Sequence, residues 1–319
     1  MTAWRHLTKP LAVWLLAGAG LLSGGSASAQ VGISGSSEFC DDGPALSAAQ
    51  NDRLLHFAAI VREQLEQHRQ DQAPPLALVS RSGLDLSLLG QRYSHSGWVQ
   101  ITAPEPEVAG VWEVRQLYYA CQDQGPRLFD QGLSAFVKGT HDPDLGFVSL
   151  VWLPPEASAA LAPQVADKAS ALALLGEQYS ANAYPFSERY QNCNQWTLEM
   201  LATVEGPVPN RAQAQAWLRA RDYHPTEIQL HWPPLLWLSQ LSPWLHSDDH
   251  PDSDLDQSQF SVSLPESLES FVRQLWPQAQ RMELCHHLTQ IVIHVGWTPL
   301  SEGCQAGPGD TTLDLAQRL

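Results

Sequence analysis

The hydrophobic and polar positions predict one long helix followed by four short strands in the first half of the chain. Over residues 46–67 apolar residues recur every three or four positions, which is typical of a helix with one buried face. Ser47 and Gln50 begin this stretch with the spacing of a capping box, in which each residue satisfies a backbone N–H of the other. Runs of β-branched and aromatic residues then predict strands at 76–80, 95–101, 111–119 and 145–153.

The second half of the chain alternates helical and strand-like patterns. A helix is predicted over 167–175, a second from Cys193 to a stop at Gly206, and a third after the capping residue Asn210. Beyond a tryptophan- and proline-rich link, the pattern predicts a strand, a helix and a strand near the C-terminus. These elements together indicate the α+β fold class.

The first 29 residues have the features of a secretory signal peptide. Arg5 and Lys9 supply positive charge, 11–22 is a short apolar stretch broken by glycine, and 27–29 offers a small-residue cleavage site. The apolar stretch is too short to span a bilayer comfortably, and no second segment has the pattern of a transmembrane helix. We therefore expect a soluble periplasmic protein without a transmembrane segment once the signal peptide is removed.

The charge balance narrows the class of partner. The chain has 34 acidic and 18 basic residues, a formal net charge of −16. Nucleic acid requires a basic face, so this balance argues against a nucleic-acid partner, and anionic membrane surfaces are disfavoured as well. The length allows one large domain or two smaller ones.

The chain has five cysteines, and in an oxidising compartment an odd number leaves one thiol unpaired. Cys285 and Cys304 flank an apolar run and are expected to close a C-terminal loop. Cys40 and Cys121 are then the natural second pair, which leaves Cys193 as the free thiol. Spacing alone does not determine the connectivity, so other pairings stay open.

Cys193 lies where a predicted helix begins, in the segment RYQNCNQW. A thiol in the first helical turn meets the positive end of the helix dipole and free backbone N–H groups, which favour the thiolate. The same N–H groups can stabilise the oxyanion of acyl transfer. The position predicts a nucleophile whose pKa is lowered, and the neighbouring Tyr190, Asn192 and Asn194 are the candidate substrate-binding residues.

A nucleophilic cysteine requires a base, and His95 is the candidate. It begins a predicted strand in the segment RYSHSGW, where small neighbours would let a substrate approach. A polar residue on the adjacent strand should then hold the imidazole. Glu113 and Gln116 lie on opposite faces of that strand, so only one can serve. We favour Gln116, because Trp112 and Val114 share its face and would shield the pair.

Longer motifs carry a resemblance to a known family. YSANAYPFSERYQNCNQW, FDQGLSAFVKGTHDPDLGFVSLVWLPP and SDDHP resemble the bacterial domain-of-unknown-function family 2145 over nearly the whole mature chain. More distantly, a histidine on a strand, a second strand and then a cysteine at a helix start resemble circularly permuted papain-like hydrolases of the NlpC type. Ser96 departs from the apolar residue that usually follows the histidine in those enzymes.

The NlpC-type resemblance implies both a fold and an activity. It implies a papain-like core of antiparallel sheet and helices over 30–245, with a small strand-helix-strand extension over 246–319 packed on it. It also implies that Cys193 is the nucleophile and His95 the base. The expected substrate is a cell-envelope peptide, amide or ester, and no cofactor is expected.

Three alternatives accompany this interpretation. His294 also stands on a strand before Gly and Trp and suits the unpermuted order, although its place near the C-terminus favours His95. Within the acidic segment 246–256, Asp252, Asp254 and Asp256 resemble the start of a calcium loop. Gln257 and Ser263 replace the glycine and glutamate that such a loop requires, so no metal site is predicted. A papain-like fold that binds a ligand without chemistry is the second functional hypothesis.

Overall fold

A large mixed sheet is the framework of the computed structural model, which describes residues 33–34, 45–71, 76–102, 110–121, 123–230 and 244–315. Among these residues, nine strands join in the order β1-β5-β4-β3-β2-β6-β9-β10-β11, and β7 pairs with β8 separately. The strands are β1 (Ile33–Ser34), β2 (Leu76–Arg81), β3 (His95–Thr102), β4 (Val111–Ala120), β5 (Gly125–Gly132), β6 (Leu145–Trp152), β7 (Thr226–Gln229), β8 (Gln259–Val262), β9 (Gln280–His287), β10 (Gln290–Val295) and β11 (Thr311–Asp314). Every pairing is antiparallel except that of β1 with β5.

Helices cover both faces of this sheet, which confirms the α+β class. They are α1 (Ala48–Asp71), α2 (Leu133–Lys138), α3 (Pro155–Ala166), α4 (Lys168–Ala173), α5 (Cys193–Met200), α6 (Arg211–Ala220), α7 (Asp252–Leu255) and α8 (Pro265–Leu275). The predicted capping box of α1 is present, since Ser47 and Gln50 exchange hydrogen bonds. Asn210 caps α6 by accepting from the backbone N–H of Gln213, also as predicted.

Side chains of the central strands alternate between two buried cores. Val79, Val99 and Val114 pack with α1 and α2 on one face. Trp98 and Leu117 pack on the opposite face with α3 to α6 and α8. Because both faces are covered, strands such as β3 are buried along most of their length rather than alternating with exposed residues.

The C-terminal part of the chain supplies three strands to the same sheet. β9 pairs with β6, and β10 and β11 follow it outward. The sequence pattern predicted β8, α8 and β10 but missed β9, whose charged and histidine residues hide its strand pattern. All described residues belong to one compact unit, Val31–Leu319. The predicted boundary near residue 245 stays a prediction.

The cysteine predictions agree with the structure where it describes them. Cys285 and Cys304 form a disulfide with an S–S distance of 2.05 Å, and Cys193 is a free, buried thiol. Cys121 is disulfide-bonded, whereas its predicted partner Cys40 lies outside the described residues.

The predicted signal peptide, 1–29, also lies outside the described residues. Within the described part of the chain, none of the helices has the length and apolar character that a membrane crossing requires.

Candidate functional site

Cys193 is the first residue of α5, and a polar cap fixes the start of that helix. The side chain of Asn192 accepts a hydrogen bond from the backbone N–H of Gln195 at 2.7 Å. Its amide nitrogen donates to the carbonyl oxygens of Ala181 at 3.1 Å and Ser263 at 3.4 Å. An Asn cap is among the strongest helix-start signals, and here it holds the thiol at the positive end of the helix.

Three hydrogen bonds attach the first two turns of α5 to the start of β3. Asn194 donates from Nδ2 to the carbonyl oxygen of Ser94 at 3.1 Å and accepts from the hydroxyl of Ser96 at 2.8 Å. Thr197 donates to the carbonyl oxygen of Ser96 at 3.3 Å. This pairing brings Sγ of Cys193 within 4.0 Å of the carbonyl oxygen of Ser94, the residue before His95.

His95 is the first residue of β3 and is held by two glutamines in series. Its Nε2 lies 2.6 Å from Oε1 of Gln116, and Nε2 of Gln116 donates to Oε1 of Gln131 at 2.5 Å. Because an amide oxygen only accepts, Nε2 of His95 carries the proton and Nδ1 of the neutral ring has the free lone pair. Gln116, rather than Glu113, is therefore the residue that orients the imidazole.

A glycine makes the contact between His95 and Gln116 possible. Gly97 lies between them on the same face of the sheet, two residues along β3 from His95. A Cβ at this position would lie 2.8 Å from the carbonyl oxygen of Arg115 and 3.1 Å from Cβ of Gln116. The absence of a side chain at Gly97 lets the glutamine approach the imidazole diagonally across the two strands.

Cys193 and His95 line one cavity of about 280 Å³. Arg81, Tyr118 and Asn194 also line it. Among the described residues no hydrogen bond joins Sγ to the imidazole, and the thiol instead donates to the carbonyl oxygen of Ser94. The structure thus brings the predicted pair to one cavity without a direct contact.

Burial determines the protonation of both groups. It raises the pKa of Cys193 to about 12, although the backbone N–H of Asn194 and the positive charge of Arg81 lower that pKa. The expectation of a lowered thiol pKa is therefore wrong. It considered the stabilisation of the thiolate by the helix N-terminus but not the larger cost of removing the thiolate from water. Burial, and then Arg81, lower the pKa of His95 well below its ordinary value, while the hydrogen bond with Gln116 raises it. Both groups are neutral at pH 7.

The other candidate residues have different places. Tyr190 stacks on His246 with ring centroids 4.5 Å apart, and neither Tyr190 nor Asn192 lines the cavity. Their role in substrate binding stays a prediction. His294 lies on β10, four strands from β3, where Nδ1 contacts Oδ1 of Asp310 at 2.6 Å. The rival histidine is thus remote from the thiol.

The segment SDDHP forms hydrogen bonds to the backbone of the residues that precede α5. Oδ2 of Asp249 accepts from the backbone N–H of Tyr184 at 2.9 Å, and Nε2 of His250 lies 2.7 Å from the carbonyl oxygen of Asn182. Groups of three or more potential metal ligands are absent from the described residues.

Sequence reasoning missed Arg81 and Gln131. Gln131 lies in β5, a strand whose pattern is obscured by proline, arginine and aspartate. Arg81 ends the run LALVSR, and a charged residue at the end of an apolar run predicts the exposed end of a strand. Its register opposite His95 was the missing information, and only the pairing of β2 with β3 supplies it.

Comparison with known proteins identifies a bacterial family. The profile of the family described as "Uncharacterized protein conserved in bacteria (DUF2145)" matches residues 66–272, more than half of the chain. The chain belongs to this family, as its motifs predicted. Neither a search of curated proteins nor a search of solved structures found a match.

Proposed function

We propose that the protein is an exported, periplasmic cysteine hydrolase of the papain-like type, acting on a peptide, amide or ester of the cell envelope. The observation that carries the proposal is that Cys193 and His95 line one cavity, the thiol at a helix N-terminus and the imidazole on a strand. Gln116 acts through His95 by fixing its tautomer, so it is a positioning residue.

The proposed reaction begins from two neutral groups. Sγ leaves the Ser94 carbonyl and attacks the substrate carbonyl carbon while the thiol proton passes to Nδ1 of His95. The imidazolium donates this proton to the leaving amine or alcohol, and a thioester remains on Cys193. Water then attacks the thioester and gives a proton to His95, which returns it to the released sulfur.

Backbone N–H groups are the candidate donors to the oxyanion of this reaction. Those of Cys193 and Asn194 lower the pKa of the thiol, so they stabilise negative charge at the sulfur. An attacking sulfur brings the substrate oxygen to this end of the helix, where such donors stabilise the tetrahedral intermediate.

The test is hydrolysis of muropeptides and of acyl esters by the mature protein and three variants. Cys193→Ala and His95→Ala should each lower the rate at least about a hundredfold, because one removes the nucleophile and the other the base. His294→Ala is the matched control, since His294 is also a strand histidine with a polar partner but lies outside the cavity. Hydrolysis by Cys193→Ala at the rate of the unchanged protein would overturn the proposal.

A non-catalytic binding module is the second candidate, and the state of the thiol favours it. Cys193 is only 7% exposed and its pKa is raised to about 12, whereas a resident thiolate is usual in reactive cysteines. Incubation with acyl esters followed by mass spectrometry of the intact protein separates the two. If the protein is a hydrolase, its mass should increase by one acyl group, held as a thioester on Cys193, and the Cys193→Ser variant should form no thioester. If it is a binding module, its mass should not change.

A further inference from the structure

Arg81 is a buried cation in the wall of the cavity that holds Cys193 and His95. It is the last residue of β2, opposite His95 in the register, and is 3% exposed. Its Nη1 packs directly on the backbone of Gly139, where any Cβ would lie 1.5 Å from that nitrogen. Only glycine at residue 139 therefore leaves room for the guanidinium.

The guanidinium has few partners. Its Nη2 donates to the hydroxyl of Tyr118, and its carbon lies 5.1 Å from the ring centre of Phe136. Nε and Nη1 are buried without a hydrogen-bond partner, and no carboxylate pairs with this arginine in the described ranges. The guanidinium can therefore donate at least two further hydrogen bonds.

Other buried arginines of the chain do have carboxylate partners. Arg115 pairs with Asp130, Arg211 with Glu199, and Arg281 with Glu269 at 2.6 to 2.9 Å. A buried guanidinium without such a partner is costly, because it loses its hydration and gains no opposite charge. A ligand anion would supply the charge that the chain does not.

The charge of Arg81 reaches the reacting groups. It lowers the pKa of both Cys193 and His95, as a nearby positive charge must, since it favours the thiolate and disfavours the imidazolium. An anion that binds at Arg81 would therefore lie close to the thiol, inside the same cavity.

The rest of the cavity wall is mainly aliphatic. The leucine, isoleucine and valine side chains that line it are Leu84, Leu86, Leu89, Ile228, Leu245, Val262 and Leu264. Leu84 is 54% exposed, and Leu88, which precedes the lining residue Leu89 in the chain, is fully exposed, so apolar side chains also lie at the solvent-facing edge of the cavity. A small hydrated anion would leave this surface uncovered, whereas an anion with an aliphatic chain would bury it.

We propose that the cavity binds an aliphatic oxyanion, a carboxylate or phosphate at Arg81 with a hydrocarbon chain along the leucine-rich wall. This deepens the proposed function and rests on it, because it assigns acylated, negatively charged molecules as the substrate class of the same pocket. Bidentate pairing with an oxyanion suits the planar fork of arginine.

Calorimetric titration of the Cys193→Ser protein with matched probes tests this. Octanoate and octyl phosphate are the two anionic probes and distinguish the sources of the oxyanion, whereas octanamide has the same chain without charge. At least one anion should bind tenfold or more tightly than octanamide, and acetate should bind more weakly than octanoate. Arg81→Met should remove the preference for the anion, and Arg81→Lys should keep part of it.

Arg189→Met is the matched control, because Arg189 is an exposed arginine outside the cavity and its loss should leave every affinity unchanged. Equal binding of anions and amide, or no binding of any probe, would overturn the proposal even if Arg81→Met failed to fold. Ester hydrolysis by the unchanged protein without an anion preference would support the proposed function and overturn this inference. Anion binding without hydrolysis would support the anion site and overturn the proposed function.

Discussion

Two buried arginines, one lining the cavity of Cys193 and one bound to the helix that Cys193 begins, differ in the partners that their charges have. Arg211, the first residue of α6, donates to Glu199 at 2.9 Å and also to the carbonyl oxygens of Glu188 at 2.8 Å and Tyr190 at 2.9 Å. Arg81, at the end of β2, has Tyr118 as its hydrogen-bond partner and two buried nitrogens with none. Both guanidinium groups are out of solvent, so exposure does not explain the difference.

We interpret the charge of Arg211 as structural and the charge of Arg81 as available to a ligand. Glu199 lies in α5 and also accepts from the side chains of Gln191 and Gln215, so the network of Arg211 joins α5 to α6 and to the preceding loop. It fixes the helix that begins with Cys193. Arg81 joins few elements and lines the cavity. A satisfied network specifies position, whereas an unsatisfied charge next to a cavity indicates a ligand.

The largest expected effect is the loss of the satisfied charge. Arg211→Met should lower the free energy of unfolding by about 3–5 kcal/mol, because it leaves the fully buried Glu199 without its cation. Urea unfolding measures it. Arg189→Met is the control, since Arg189 and Asp248 are about half exposed and such pairs contribute about 0–1 kcal/mol. Equal unfolding midpoints for the two variants would refute the structural role of Arg211.

His286 extends the comparison of the two arginines to a buried group that stays neutral and so avoids the free-energy cost of a buried charge. Burial lowers its pKa to about 4 from an unfolded value near 6.5, so its contribution to stability is complete above pH 6.5 and is lost as the pH falls. The loss should reach about 3 kcal/mol by pH 4. His286→Leu should flatten the decline in urea midpoint between pH 6.5 and 4. Parallel declines in both proteins would show that His286 is not the group responsible.

The glutamine pair should have an intermediate effect. Gln116→Leu leaves Nε2 of His95 and Oε1 of Gln131 without partners, which should cost about 1–3 kcal/mol. It should also change the tautomer of His95, measurable by ¹⁵N chemical shifts. Gln100→Leu is the matched control, because Nε2 of this buried glutamine has no partner to lose. An unchanged tautomer in Gln116→Leu would contradict the positioning role.

Arg81 should have the smallest effect on stability. Arg81→Met removes a charge without an ion partner, so the free energy of unfolding should change by less than about 1 kcal/mol or rise. The pKa of both Cys193 and His95 should increase, because the positive charge that lowers each is gone. NMR titration of His95 and the pH dependence of thiol alkylation measure these shifts. A destabilisation like that of Arg211→Met would show that Arg81 is structural.

Local sequence signals sufficed for most of the elements that position the site. The strand that begins at His95, the helix that begins at Cys193 and the strand that contains Gln116 were predicted from short-range patterns. Strand alternation placed Glu113 and Gln116 on opposite faces, so only one could serve, and the shielding expected from Trp112 and Val114 favoured Gln116. β5 and β9 escaped prediction because polar residues interrupt their apolar patterns where the sheet is buried.

The residues alone determined the family, the α+β class, the free thiol and its place at a helix start. Tertiary structure alone decided which histidine shares a cavity with that thiol, because strand order is a long-range property and puts His294 far along the sheet. It also decided the protonation of Cys193, since desolvation depends on everything packed around the thiol and here outweighs the helix amides. Arg81 became a candidate ligand contact only through its burial without a carboxylate partner, which no local pattern of residues encodes.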